Sequence, residues 1–305
     1  MQKNTILLII FLNLLIVSVE IGVGYKSNST SLIVDAFHNL GDVLAVTVSF
    51  VAIVFTAKSA TDWMTFGYIR AEMMAGFVNS AFLCITMGVL FYEAIEKLLN
   101  PMPVASINVA ITAFVALIAN GVSAYLLHKN GLDHSHEHTN GCCSHAHNNN
   151  DLNIKSAYLH MLGDAIISFG VVVGSLAGYY FGTFIIDPLL SVVFCVYIFV
   201  QSFGVLKKTF FSLMDANDND ISQIINELTG FSEVDGVHDI HLYSPSSKEK
   251  FFSAHLVFKE NRPLDEIENT LEKIRHILEH KGITHTILQP ETIKYAQEHH
   301  LCTTH

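Results

Sequence analysis

The sequence predicts a membrane all-α bundle of six transmembrane helices, followed by a small cytoplasmic α+β domain. Three observations carry that prediction. Charged residues make up only 15% of the chain and hydrophobic residues 50%, whereas soluble domains carry about 25% charged residues. Long apolar runs fill positions 6–211, while 214–305 is polar and rich in Glu, Lys and His. Within that polar part, helical spacing alternates with strand spacing. The break divides the chain into a membrane domain, 1–211, and a tail, 212–305, long enough to fold alone.

A bilayer crossing takes about 20 apolar residues. Six stretches qualify: 5–24, 31–57, 72–96, 105–127, 155–180 and 187–209. The first has the charge order of a signal peptide, Lys3 before an apolar run. No small-x-small cleavage site ends it, so it is expected to stay as the first helix. Polar residues 24–29 separate the first and second spans, and 58–70 separate the second and third. Pro101 and Pro103 close the third, because proline cannot continue a helical ladder. Residues 129–153 form a long polar loop, and Asp187-Pro188 opens the sixth span.

Cationic residues set the orientation. With both termini in the cytoplasm, Lys3, Lys58, Arg70, Lys129, Lys155, Lys207 and Lys208 flank the inner ends, against Lys26 and Lys97 outside. In the tail, 218–228 is helical up to Gly230, and 237–243 and 251–258 alternate as strands around a Ser244-Pro245-Ser246-Ser247 turn. Pro263 opens a helix over 264–280, Gly282 ends it, and 283–288 is the last strand. Helices on one face of a sheet are the expected packing.

The formal charge of −11 excludes nucleic acid as a partner, since that would need a basic face. The five cysteines, Cys84, Cys142, Cys143, Cys195 and Cys302, show no disulfide spacing, so reduced thiols on a cytosolic face are expected.

The chemistry lies in a pattern that occurs twice. The second span holds His38 and Asp42 in an H-x-x-G-D sequence, and the fifth holds His160 and Asp164 in the same one. Residues four apart share a helical face, about 6 Å apart along the axis. Each helix can thus aim one imidazole and one carboxylate the same way, and two such faces supply the four N/O ligands of tetrahedral zinc. Gly41 and Gly163 would let the helices approach closely. A single intramembrane His or Asp can be a hydrogen-bonding group, but ionisable residues at bilayer depth usually mark a transport path, and here two matching pairs occur. Asn13, Glu20, Asp35, Asn79 and Asn120 also fall within spans and are expected to hydrogen-bond between helices; Asp35 or Glu20 could also line an exit path.

The 129–153 loop carries His134, His136, His138, Cys142, Cys143, His145 and His147 among Asn residues. Such a segment cannot build a core and is read as a loose metal-collecting arm, with a plain solvated linker as the alternative. His238, His241, His255, His285 and Cys302 recur near strand ends of the tail, where a second, regulatory metal site is expected.

These residues resemble the cation diffusion facilitators, specifically their zinc-exporting branch. The resemblance rests on residues 31–42 (SLIVDAFHNLGD), 66–72 (FGYIRAE), 159–164 (LHMLGD), 187–191 (DPLLS), 236–241 (GVHDIH) and 254–257 (AHLV). It implies a homodimer in the lipid bilayer that exchanges zinc for protons by alternating access, with no enzymatic activity and no cofactor beyond zinc as substrate and regulator. It assigns the transport site to His38, Asp42, His160 and Asp164. It also implies a ferredoxin-like, metallochaperone-like tail that binds metal and dimerises, with ligands at His238 and His255 and further help from His285, Glu291 and Cys302. Some members carry a His in the loop between the second and third helices where this chain has Tyr68; neither Tyr68 nor Met64 is a zinc ligand, so no site is expected there.

Three rival functions fit the sequence less well. A membrane metalloprotease would need an H-E-x-x-H sequence, which is missing. A membrane-anchored metal sensor would not need six spans, and a passive channel would show no proton-driven uphill flux. Short loops and the lack of an N-terminal extension point to a bacterial inner membrane.

Overall fold

The computed structural model describes residues 3–56, 60–133, 147–217 and 220–298. Among the described residues six long helices come first: α1 (Lys3–Ser27), α2 (Thr30–Thr56), α3 (Ala71–Leu99), α4 (Ser106–Asp133), α5 (His147–Phe181) and α6 (Ile186–Leu213). The tail adds α7 (Ile221–Thr229), β1 (Val234–Tyr243), β2 (Phe251–Phe258), α8 (Leu264–His280), β3 (His285–Thr292) and α9 (Ile293–Glu298). Among the described residues, three helical segments are long and apolar enough to cross a bilayer: Ala71–Leu99, Gly163–Phe181 and Ile186–Leu213.

Two helices run further than the hydropathy predicts. α4 continues to Asp133 and α5 begins at His147, both inside the stretch read as a loop. Hydropathy reports which residues leave water, and a helix can continue past the bilayer edge in polar sequence. Between α1 and α2 the chain turns on Asn28, at φ 57°, a left-handed conformation that Asn tolerates better than most residues.

The chain divides into two compact units, 1–47 with 79–204, and 48–78 with 205–305. In the first, Ile33, Val34, Leu83, Met87, Ile167 and Ile198 form a buried cluster that draws α2, α3, α5 and α6 together. Leu32, Val109, Ala113 and Val171 form a second cluster between α2, α4 and α5. Gly41 is tightly packed here: a Cβ would sit 2.5 Å from Leu83 Cδ2, so the Leu83 side chain would have to shift. Gly163 is not, because a Cβ there would meet only the Tyr197 hydroxyl oxygen, at an ordinary 3.7 Å. Cys84 and Cys195 are buried free thiols.

In the second unit, β1 pairs antiparallel with β2, and β2 pairs parallel with β3, in the order β1-β2-β3. Phe252, Leu256, Ile274 and Leu278, each under 2% exposed, are the centre of the core between sheet and helices. Asp220 caps α7 by accepting from Ser222 N at 2.9 Å, and Gly282 closes α8 at φ 78°. The same unit ties the start of α3 to the sheet. Arg70 donates to Asp215 at 2.8 Å, Ser247 donates to Glu72 at 2.7 Å, and Phe66 packs on Phe251.

Candidate metal centres

α2 carries His38 and Asp42 one helical turn apart, and its start is fixed by another helix. The Asp187 carboxylate, in the first turn of α6, accepts from Thr30 N at 2.8 Å, Ser31 N at 3.3 Å and the hydroxyls of Ser29 and Ser31, each at 2.5 Å. The first N–H groups of a helix have no partner inside it and favour an anion. Asp187 supplies that anion from outside the helix and so sets the position of α2.

His38 Nε2 lies 3.0 Å from Asp164 Oδ1 on α5 and 3.9 Å from Asp42 Oδ2. His38 and Asp164 are buried, Asp42 is half-buried, and one ligand atom from each falls within 4.8 Å of the other two. Ligand atoms of tetrahedral zinc sit about 3.3 Å apart, the edge of a tetrahedron with bonds of roughly 2.0–2.1 Å. The three groups therefore stand close to a zinc shell already. His160 is four residues before Asp164 on the same helix, and its side chain lies outside the described residues.

The second constellation is on the sheet. His238 of β1 is opposite His255 of β2, and Glu291 lies two positions beyond Gln289, the β3 partner of His255. His238 Nε2 is 3.0 Å from Glu291 Oε2, and His255 Nδ1 is 2.9 Å from Glu291 Oε1. These three again place one ligand atom each within 4.8 Å of one another. Sequence reasoning missed Asp239, whose Oδ2 is 3.5 Å from His255 Nε2 and whose Oδ1 is 3.1 Å from His241 Nε2. It stands at φ 52°, where the β1–β2 register shifts. An Asp between two His in a strand was the available signal, since Asp is one of the few residues at ease in that conformation.

His285 does not join this cluster. It pairs with Phe251, four strand positions from Gln289, and its ring packs 4.8 Å from the Phe251 ring. Cys302, His134, His136, His138, Cys142, Cys143 and His145 lie outside the described residues. His147 begins α5, and its side chain also lies outside them. Tyr68 and Met64 belong to the turn before α3.

Comparison with known proteins agrees along nearly the whole chain. Residues 6–214 match the cation efflux transmembrane domain, and 216–293 match the cation efflux protein cytoplasmic domain. The chain is 32% identical to the cadmium, cobalt and zinc/H(+)-K(+) antiporter of Bacillus subtilis, over 88% of its own length and 82% of the relative's. It is 28% identical to the zinc transporter ZitB of Pectobacterium atrosepticum, over 92% of this chain and 82% of that one. A proton-coupled zinc antiporter of Xenopus laevis, SLC30A8, is 29% identical over 79% of this chain and 66% of its own. With a buried His–Asp–Asp cluster among long apolar helices and both domain matches in place, the chain belongs to the cation efflux family of membrane transporters, and it is not an enzyme.

Proposed function

We propose that this protein exports zinc from the cytoplasm in exchange for protons. In this reading it works as a six-span homodimer in a bacterial inner membrane, with both termini inside. The observation that carries the reading is the His38–Asp42–Asp164 cluster, held within 4.8 Å among apolar helices, with His160 one turn from Asp164. Two imidazoles and two carboxylates suit zinc, while all-oxygen sets favour harder ions. Cadmium and cobalt, named for the Bacillus relative, are the competing cargo.

Zinc loads on neutral imidazoles and ionised carboxylates facing the cytoplasm. The helices then rock around the fixed site to face outward. There protons compete for the same groups, because a protonated imidazole or carboxyl cannot hold the ion. The protonated site returns inward. One set of groups serving two cations in turn is the physical source of the coupling.

The His238–His255–Glu291 cluster, with Asp239 beside it, is proposed as a regulatory site that reports cytosolic zinc. The ferredoxin-like tail is proposed as the dimerisation domain, and the 129–153 loop as a collecting arm. The test of the transport site is zinc uptake into proteoliposomes under an imposed pH gradient. Asp164→Ala should lose zinc flux by at least about a hundredfold, as the loss of one ligand from a shell of four demands. Near-normal flux from this variant would overturn the assignment.

A further inference from the structure

Among the described residues, two fully buried carboxylates have no role in the sites above. Glu20 on α1 and Asp35 on α2 are both 0% exposed, and Glu20 bonds to Asn39, one helical turn from Asp35 on α2. One oxygen of each is held by a neutral donor: Asn39 Nδ2 donates to Glu20 Oε2 at 3.3 Å, and Ser168 Oγ to Asp35 Oδ2 at 2.9 Å. The other oxygens, Glu20 Oε1 and Asp35 Oδ1, are buried with no hydrogen-bond partner among the described residues. The charged groups acting on Asp35 are His38, Asp42 and Asp164. α4, which packs against α1, has no titratable side chain between Ser106 and Gly121.

Two anions in that setting are mutually repelled and stripped of water, so the pair must carry a cation. Its chemistry selects which one. Zinc takes four ligands with nitrogen or sulfur among them, and magnesium or calcium takes six or more oxygens. Two open oxygens are too few for any of these, whereas a proton needs only one. The two carboxyls are also unequal. Asp35 receives the shorter hydrogen bond, at 2.9 Å, and lies one helical turn before His38 on α2. Glu20 has only the longer amide contact, at 3.3 Å.

We propose that Glu20 is a proton-binding site of the transport cycle, distinct from the zinc cluster, with Asp35 as the anion that links the two. This rests on the proton-exchange reading above. A zinc ion arriving beside Asp35 brings positive charge toward Glu20 and favours release of the Glu20 proton to water. Reprotonation of Glu20 has the opposite effect and favours zinc release. The second site thus adds a proton to the exchange without supplying a zinc ligand.

The test uses the full-length protein with Glu20→Gln, which mimics the neutral acid in shape, and Glu20→Asp, which keeps a carboxyl. Two quantities are read: zinc flux with and without an imposed pH gradient, and protons released per zinc bound, from calorimetry in buffers of different ionisation enthalpy. Glu20→Gln should lose stimulation by the gradient while zinc-for-zinc exchange continues, and its proton release should fall by about one per zinc. Glu20→Asp should recover part of both. A Glu20→Gln variant with wild-type stimulation and wild-type proton release overturns the proposal. If wild type itself shows no stimulation, it is the exchange reading that fails, and the proton count alone then decides the role of Glu20. Should Glu20→Gln not fold, dicyclohexylcarbodiimide on wild type decides instead, because it attacks protonated carboxyls in apolar surroundings. Modification of Glu20 that declines as pH rises supports the site, and its absence at every pH overturns it.

Discussion

In the proposed zinc exchange, His38 is the residue on which selectivity is expected to turn. Its Nε2 stands 3.0 Å and 3.9 Å from two carboxylates, spacings that bracket the roughly 3.3 Å edge of a zinc tetrahedron. A larger ion wants longer bonds or more ligands, and a rigid imidazole gives neither. Replacing His38 by Asp adds a negative charge and a shorter side chain that can bind through one oxygen or two. The expected outcome of His38→Asp is a cadmium-to-zinc flux ratio at least about tenfold above wild type, equivalent to ~1.4 kcal/mol, with zinc transport partly retained. Paired flux measurements at matched free metal and fixed pH check it. Equal transport of both ions by wild type, or no cadmium gain in the variant, would show that His38 does not set selectivity. The H-x-x-G-D sequence on α2 made the proximity of His38 and Asp42 legible, because spacing four on a helix is also proximity. Asp239 was not legible in the same way, since only the shifted β1–β2 register turns its side chain toward His255.

At the scale of elements, the position of α2 depends on α6. Asp187 holds two backbone N–H groups and two hydroxyls at the start of α2, and Gly41 lets Leu83 of α3 lie against it further along. A buried charge-assisted hydrogen bond contributes about 1.5–3 kcal/mol, and several share this one carboxylate. Asp187→Ala should therefore destabilise the membrane unit by at least about 3 kcal/mol and lower zinc flux although every proposed ligand is intact. Thermal unfolding in detergent together with flux checks both. Unchanged stability would mean that the core around Leu32 and Val34 positions α2 by itself. The tail strands show where sequence patterns stop. β3 continues through Pro290 to Thr292, past the predicted end at 288. Proline argues against a central strand, but β3 lies at the edge of the sheet, where a missing donor is tolerated. That extension brings Glu291 to the two histidines.

On the scale of the whole molecule, the tail is built around a core of its own. Phe252 is 1% exposed at the centre of a cluster that includes Leu228, Leu256, Ile274 and Leu278. Truncating a buried Phe costs about 3–5 kcal/mol, so Phe252→Ala should lower amide exchange protection across β1, β2 and α8 by at least about a hundredfold. Protection equal to wild type would place the main support of the sheet elsewhere. The Arg70–Asp215 pair is 44% exposed on both sides. Such pairs contribute about 0–1 kcal/mol, so it orients the start of α3 more than it stabilises the sheet.

The sequence alone determined the long apolar helices of the first part and the order of helices and strands from α7 to β3. Each of these depends on local periodicity and on whether a side chain can leave water, and both are written along one segment. Tertiary structure decided that His285 belongs with Phe251 while Glu291 and Asp239 stand beside His255, that Asp187 caps a helix 156–158 residues away in sequence, and that Glu20 and Asp35 are fully buried, each with one oxygen unpartnered among the described residues. Those facts depend on register, on crossing helices and on which polar atoms lose every partner. Such relations between distant segments have no trace in the spacing of either one.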